Sequence, residues 1–168
     1  MKRITHFASL LVLGCPILLA QDYSTAPAGV QAALFVKILA FDRQISAGGE
    51  VTIHVVDAPD VARELKRAVG MSIGAATLKS VSEGPDIPPS KPTAVYLADV
   101  SNLRRILNYT RTNKVLSMTG SPPLVPQGAT LGVGIGGDGK PKILVNLSSS
   151  KEEGADWNPA ILKTAVVF

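Results

Sequence analysis

The stretch LGVGIGGDGKPKILVNLSSSKEEGADWNPAILKTAVVF, residues 131–168, decides the fold. Its opening contains Gly132-x-Gly134-x-x-Gly137, which matches a dinucleotide-binding fingerprint letter for letter. That fingerprint works only when a strand precedes it and a helix opens at the third glycine, so that helix N–H groups and the helix dipole meet a pyrophosphate. Here Gly137 runs into Asp138-Gly139-Lys140-Pro141 and then the apolar Ile143-Leu144-Val145. Asp-Gly between two apolar runs signals a tight hairpin, whose central positions need positive φ. Pro141 would also interrupt a helix only four residues in. The stretch therefore reads as a glycine-rich β-hairpin that calls for no cofactor. Its strand glycines predict a small-residue face or a closely approached backbone. From Asn158, with Pro159 in its first turn, a final helix is expected to bury Ile161, Leu162, Ala165 and Val166.

Upstream of the hairpin, strand and helix signals alternate. Val30, Ala33, Leu34, Ile38 and Phe41 recur at helical spacing between Pro27 and Ile45, and Ser46 to Gly49 ends that run. Val51-Thr-Ile-His-Val-Val56 is β-branched and mostly apolar, as a buried strand would be. Asp57-Ala-Pro-Asp60 opens a helix with Val61, Leu65 and Val69 as its apolar stripe and Gly70 as its stop. Ala75 to Val81 and Thr93 to Ala98 read as strands on either side of a proline-rich loop. Ser101 is expected to cap a helix that turns Leu103, Ile106, Leu107 and Thr110 inward, and Val115 to Met118 is a further strand. Strands alternating with helices of about ten residues imply βαβ units. The expected fold is therefore α/β, a single domain with a mixed, largely parallel sheet flanked by helices on both faces, closed by the C-terminal hairpin and final helix.

The amino terminus points to export. Met1-Lys2-Arg3, an apolar stretch from Ile4 to Leu19, and Ala20 before Gln21-Asp22 have the layout of a secretory signal peptide. The expected division is residues 1–20 as leader and 21–168 as one domain. Cleavage after Ala20 is the favoured processing, and lipid attachment at Cys15 within Val12-Leu13-Gly14-Cys15, which resembles a lipobox, is the other route. Cys15 is the only cysteine, so a chain cut after Ala20 must rely on its core and not on a disulfide. The formal charge of +4 falls to +2 once Lys2 and Arg3 are removed. No basic block or aromatic-interleaved patch remains, which argues against nucleic acid as a partner. No membrane span is expected after processing.

Candidate chemistry is sparse. Asp57 and Asp99 both follow predicted parallel strands, where open α/β sheets place ligand crevices, and each also precedes a helix that it could cap. Capping is the simpler reading. His54, inside a strand, has no histidine or cysteine neighbour in the processed chain, so a hydrogen-bonded core or interface role is preferred to a metal site. Gly-x-Ser-x-Gly is absent, and no catalytic residue, cofactor or metal ligand is assigned. Trp157 suits either packing or an interface anchor. Leu124 sits in the loop Ser117 to Pro126, the kind of segment that carries binding. Asp57, Asp99, Leu124 and Trp157 are thus the candidate contacts to a partner or ligand.

Several short motifs occur in a telling order: Val115-Leu-Ser-Met-Thr119, Gly128-Ala-Thr-Leu-Gly-Val-Gly134, Pro141-Lys-Ile-Leu-Val-Asn-Leu147 and Trp157-Asn-Pro-Ala-Ile-Leu-Lys-Thr-Ala165. Gln31-Ala-Ala-Leu-Phe-Val-Lys-Ile-Leu-Ala-Phe41 precedes them all. In this order the chain resembles the YfiR-like periplasmic proteins across nearly the whole processed length. The resemblance implies a non-enzymatic exported regulator that forms homodimers. It further implies binding to the periplasmic region of an inner-membrane diguanylate cyclase, restraining cyclic-di-GMP signalling. The chain departs from the best-known members in having no cysteine after processing, where they carry disulfides tied to redox sensing. Redox control is therefore not expected, and a different membrane sensor, such as a histidine kinase, stays open as partner. The alternative of another class is a periplasmic small-molecule-binding module for transport or sensing, with a crevice near Asp57 and Asp99.

Overall fold

The computed structural model describes residues 23–99 and 101–168, so the leader and Cys15 lie outside the described residues. In chain order the elements are β1 (Ser24–Thr25), α1 (Ala28–Leu39), α2 (Arg43–Ser46), β2 (Gly49–Val56), α3 (Pro59–Arg67), β3 (Ser72–Ile73), β4 (Ala76–Gly84) and β5 (Ala94–Leu97). There follow α4 (Leu103–Asn113), β6 (Leu116–Thr119), a 3-10 turn (Pro122–Leu124), β7 (Leu131–Ile135), β8 (Pro141–Val145), α5 (Leu147–Glu153), α6 (Pro159–Leu162) and β9 (Val166–Val167). One sheet runs β3-β4-β2-β5-β6-β7-β8-β9, with β1 paired to β7. From β4 to β7 every pairing is parallel, and β3, β1 and β8 join antiparallel. The parallel part has β2 beside both β4 and β5, the doubly wound order in which the chain reverses direction across the sheet.

Period-two alternation sorts the strand residues between two cores. Val51, Ile53, Val55, Ala94, Tyr96, Leu116 and Met118 pack with Phe35, Leu39 and Leu65 of α1 and α3 in the larger one. Val56, Val95 and Leu97 face Ile106 of α4 and Leu124 in the smaller one. Burial on both faces explains why β2 and β5 read as nearly continuous apolar runs. Phe35 meets Tyr96 edge-on, centroids 5.8 Å apart at 76°, a contact worth about 1 kcal/mol beyond the area it buries.

The hairpin forms as its sequence requires. Gly139 takes φ 72°, Gly136 N donates to Lys140 O, and Leu131 to Ile135 pair with Val145 to Pro141. Lys142 Nζ donates to Asp138 Oδ2 across the turn at 2.8 Å and holds that carboxyl below the usual range. The β7 glycines answer to close approach. A Cβ on Gly132 would lie 2.4 Å from Val125 Cγ2, and one on Gly134 would lie 2.6 Å from Pro122 Cγ. The 3-10 turn lies against this face.

Several expectations are corrected. The first helix ends at Leu39, because Asp42 caps the separate α2, accepting from Gln44 N and Ile45 N, and pairs its backbone with Trp157. Phe41 is consequently exposed. Val69 lies beyond the end of α3 and is exposed too. The C-terminal helix is a single turn, capped by Asn158, that buries Ile161 alone. Ala165 and Val166 are only half-buried, and Val166-Val167 pairs with β8 as a parallel strand. The β-branched pair finds an open strand edge there, and hydrogen bonds outweigh one more helical turn. The polar stretch Leu147-Ser-Ser-Ser-Lys-Glu-Glu153, with no apolar stripe to announce it, is helical, capped by Asn146 and closed by Gly154 at φ 81°.

Candidate functional site

The reversal of chain direction leaves a crevice at the carboxyl ends of β2, β5 and β6. Its volume is about 340 Å³, and Thr25, Gln31, Asp57 to Val61, Tyr96, Ala98, Gly120 and Ser121 line it. Open α/β sheets bind ligands at this position because the strands on either side splay apart. The floor is a closed hydrogen-bond chain. Gly120 N donates to Tyr96 Oη at 3.2 Å, Tyr96 Oη donates to Gln31 Oε1 at 2.8 Å, and Gln31 Nε2 donates to Ala26 O at 2.6 Å. Burial pushes the Tyr96 phenol up to about 12, against the opposing effect of the Gly120 hydrogen bond, so it stays a neutral donor. Gly120 admits this arrangement, since a Cβ there would lie 1.9 Å from Gln31 Oε1.

Asp57 stands at the rim with φ 51°, the left-handed region that few residues other than glycine enter. Its backbone N–H bonds Gly84 O at 3.3 Å, while its carboxylate is exposed and has no hydrogen-bond partner among the described residues. The capping expectation fails for it, because the residue at the cap of α3 is Ala58, with no side-chain bond. Asp60 is likewise on the rim but is paired with Arg63 at 2.7 Å. Asp99 does not join Asp57 in the crevice. Its Oδ1 accepts from Ser101 N at 2.8 Å in a turn ahead of α4, whose cap position is Asn102 and not Ser101.

The other two candidate contacts are inside the molecule. Leu124 is 1% exposed in the smaller core, and Trp157 is 7% exposed, its Nε1 donating to Ser150 Oγ at 2.9 Å. His54 is also buried and satisfied. Asp86 O can only accept, so Nε2 donates to it at 2.9 Å, and Nδ1 shares a hydrogen bond with Ser82 Oγ at 2.8 Å. Arg63, Lys66 and Arg67 form exposed ion pairs with Asp60, Glu83 and Glu64. Among the described residues no cluster of three or more His, Cys, Asp or Glu side chains could hold a metal, and no helix is long and apolar enough to cross a membrane.

A second cavity, about 410 Å³, opens at the opposite, amino end of the strands. Asp42, Glu50, Lys91, Lys114 and Glu153 contribute its ionisable lining. Glu153, 3% exposed, accepts from Ser117 N at 2.7 Å and Ser117 Oγ at 2.9 Å on Oε2, and faces Thr110 Oγ1 at 2.5 Å on Oε1. Burial raises its carboxyl above the usual range, outweighing those hydrogen bonds. The crevice residues Gln31, Tyr96 and Gly120 and the buried Glu153 were not singled out in the sequence. The one hint was a polar Gln31 within the apolar pattern of the first helix.

A doubly wound α/β domain extended by an antiparallel hairpin, with an open polar crevice at its switch point, is the frame of many binding proteins. The chain belongs to the YfiR/HmsC-like family, which matches residues 28–166, from the start of α1 into β9. Comparison with curated proteins gives no match.

Proposed function

We propose that this protein is an exported, periplasmic regulator that acts by binding and not by catalysis. On this reading residues 1–20 are removed as a signal peptide, and the domain restrains an inner-membrane diguanylate cyclase, or a related sensor such as a histidine kinase, through its periplasmic region. The family match over residues 28–166 is the observation that carries this reading. Self-association into a homodimer belongs to the same proposal. The carboxyl end of the sheet is the contact face it favours, because Asp57 is held there exposed and, among the described residues, without a side-chain partner. Deleting the gene should raise cyclic-di-GMP and surface attachment. A photo-crosslinker in place of Ser121 should recover one membrane protein. Unchanged cyclic-di-GMP together with no membrane protein recovered would count decisively against the cyclase role.

A second reading rests on the crevice itself, whose volume of about 340 Å³ suits a small ligand. A thermal-shift screen of small polar metabolites separates the two, since a ligand that binds only the folded state raises the unfolding temperature.

A further inference from the structure

The Thr110 hydroxyl carries one proton, yet two oxygens stand within bonding distance of it: Leu107 O at 3.1 Å and Glu153 Oε1 at 2.5 Å. One proton shared between them would make a weaker three-centre bond, whereas each contact is a full two-centre hydrogen bond if Glu153 supplies a second proton. Its other oxygen is occupied as an acceptor twice over, by Ser117 N and Ser117 Oγ, which leaves Oε1 to hold it. We infer that Glu153 is a proton-operated latch between α5 and α4. Protonated, it donates through Oε1 to Thr110, which passes its own proton to Leu107 O. Ionised, it becomes acceptor-only and draws the Thr110 proton away from Leu107.

The surroundings are arranged for two states. Thr130 Oγ1 is buried beside Glu153 without a well-aligned hydrogen bond, yet near enough that its hydroxyl opposes the rise of the Glu153 carboxyl, so it is the hydroxyl able to turn toward a bare carboxylate. No lysine, arginine or histidine nitrogen among the described residues lies within 4.0 Å of Glu153 to hold it ionised. The charged groups on the elements around it are engaged elsewhere or stand back. On α4, Arg111 pairs with Glu152 at 2.6 Å, and the Nζ of Lys114, just past the helix, donates to Glu152 O at 2.7 Å. On α5, Lys151 is exposed. Around the cavity, Glu50 pairs with Lys79, Lys91 is exposed, and Asp42 is committed to capping α2. The cavity, to which Glu153 contributes, gives protons a route to the carboxyl without unfolding.

The sign follows from linkage. Burial raises the folded-state value of Glu153, so the folded protein holds this proton at a pH where the unfolded chain has released it. The stabilisation is therefore complete below the ordinary glutamate range, falls as pH rises through the window up to the raised value, and is lost above it. Asp42, also raised by burial, contributes with the same sign and must be separated.

Trp157, the only tryptophan in the chain, reports on the latch because its indole donates to Ser150 on α5. Its fluorescence is followed from about pH 4 to pH 8 in the full processed chain, in E153Q and in D42N. The expected result is a transition above the ordinary glutamate range that persists in D42N and disappears in E153Q. A transition that persists in E153Q, or that disappears in D42N, overturns the latch. Should E153Q fail to fold, a ¹³C-glutamate NMR titration of the unsubstituted protein decides. A Glu153 carboxyl carbon titrating above the ordinary range supports the latch, and one titrating within or below it overturns the latch.

Discussion

The two ends of the sheet treat their helices differently. The helices that begin at the amino end, α2, α5 and α6, are each capped by a side chain, from Asp42, Asn146 and Asn158. Those that begin at the carboxyl end, α1, α3 and α4, have no side-chain cap at all. The contrast extends to backbone strain. Lys114, left-handed at the amino end, closes α4 with its N–H on Arg111 O and Thr110 O, so its conformation has a structural use. Asp57, left-handed at the carboxyl end, caps nothing. The amino end commits side chains to capping its helices, whereas at the carboxyl end Asp57 is left available, which is where a contact surface is to be sought.

This contrast can be broken by substitution. Replacing Glu153 with Ala strands Ser117 N–H and the Ser117 hydroxyl proton in the interior, while Thr110 keeps Leu107 O, and unfolding by urea should show a loss of about 3 kcal/mol or more. A loss below about 1 kcal/mol would mean that water replaces the carboxyl and that the amino end is not closed. Replacing Asn146 with Ala removes the cap on Ser149 N and the bond to Val125 O, and should lower stability by about 1–2 kcal/mol. Asp57→Gly should move in the opposite direction, gaining up to about 1 kcal/mol by relieving the positive φ, while lowering the yield of crosslinked partner. If Asp57→Gly instead destabilises the domain, Asp57 belongs to the fold and the contrast fails. Asp99→Ala should change stability by no more than about 0.5 kcal/mol, because it loses one exposed turn bond.

Most of the larger scaffold was legible because strands buried on both faces and helices with one apolar stripe write their periods into the chain. Val51 to Val56 and Ile106-Leu107 are examples. The hairpin was legible through Asp138-Gly139, and its glycines through the backbone that approaches them. What escaped was set by partners remote in sequence. Nothing local distinguishes Val166-Val167 as strand from helix until β8 offers an edge, and α5 declares itself only by Asn146 and Gly154 at its ends. The site escaped for the same reason: Gln31, Tyr96 and Gly120 meet across three elements. Asp57 was noticed, but its φ, and hence its freedom from capping, is a property of the folded turn.

The short strand β1 has a consequence for attachment. It occupies the edge of β7 at Gly134 and Ile135, beyond the register in which β6 pairs with Leu131 and Gly132. The chain therefore enters the domain alongside the crevice, and a load applied to its amino terminus acts there. If the chain were moored through a lipid on Cys15, seven residues would separate that anchor from Tyr23, a reach of at most about 30 Å. Such a mooring would confine the rim around Asp57 to a thin zone above the bilayer, at the height of whatever a membrane protein exposes closest to its lipids.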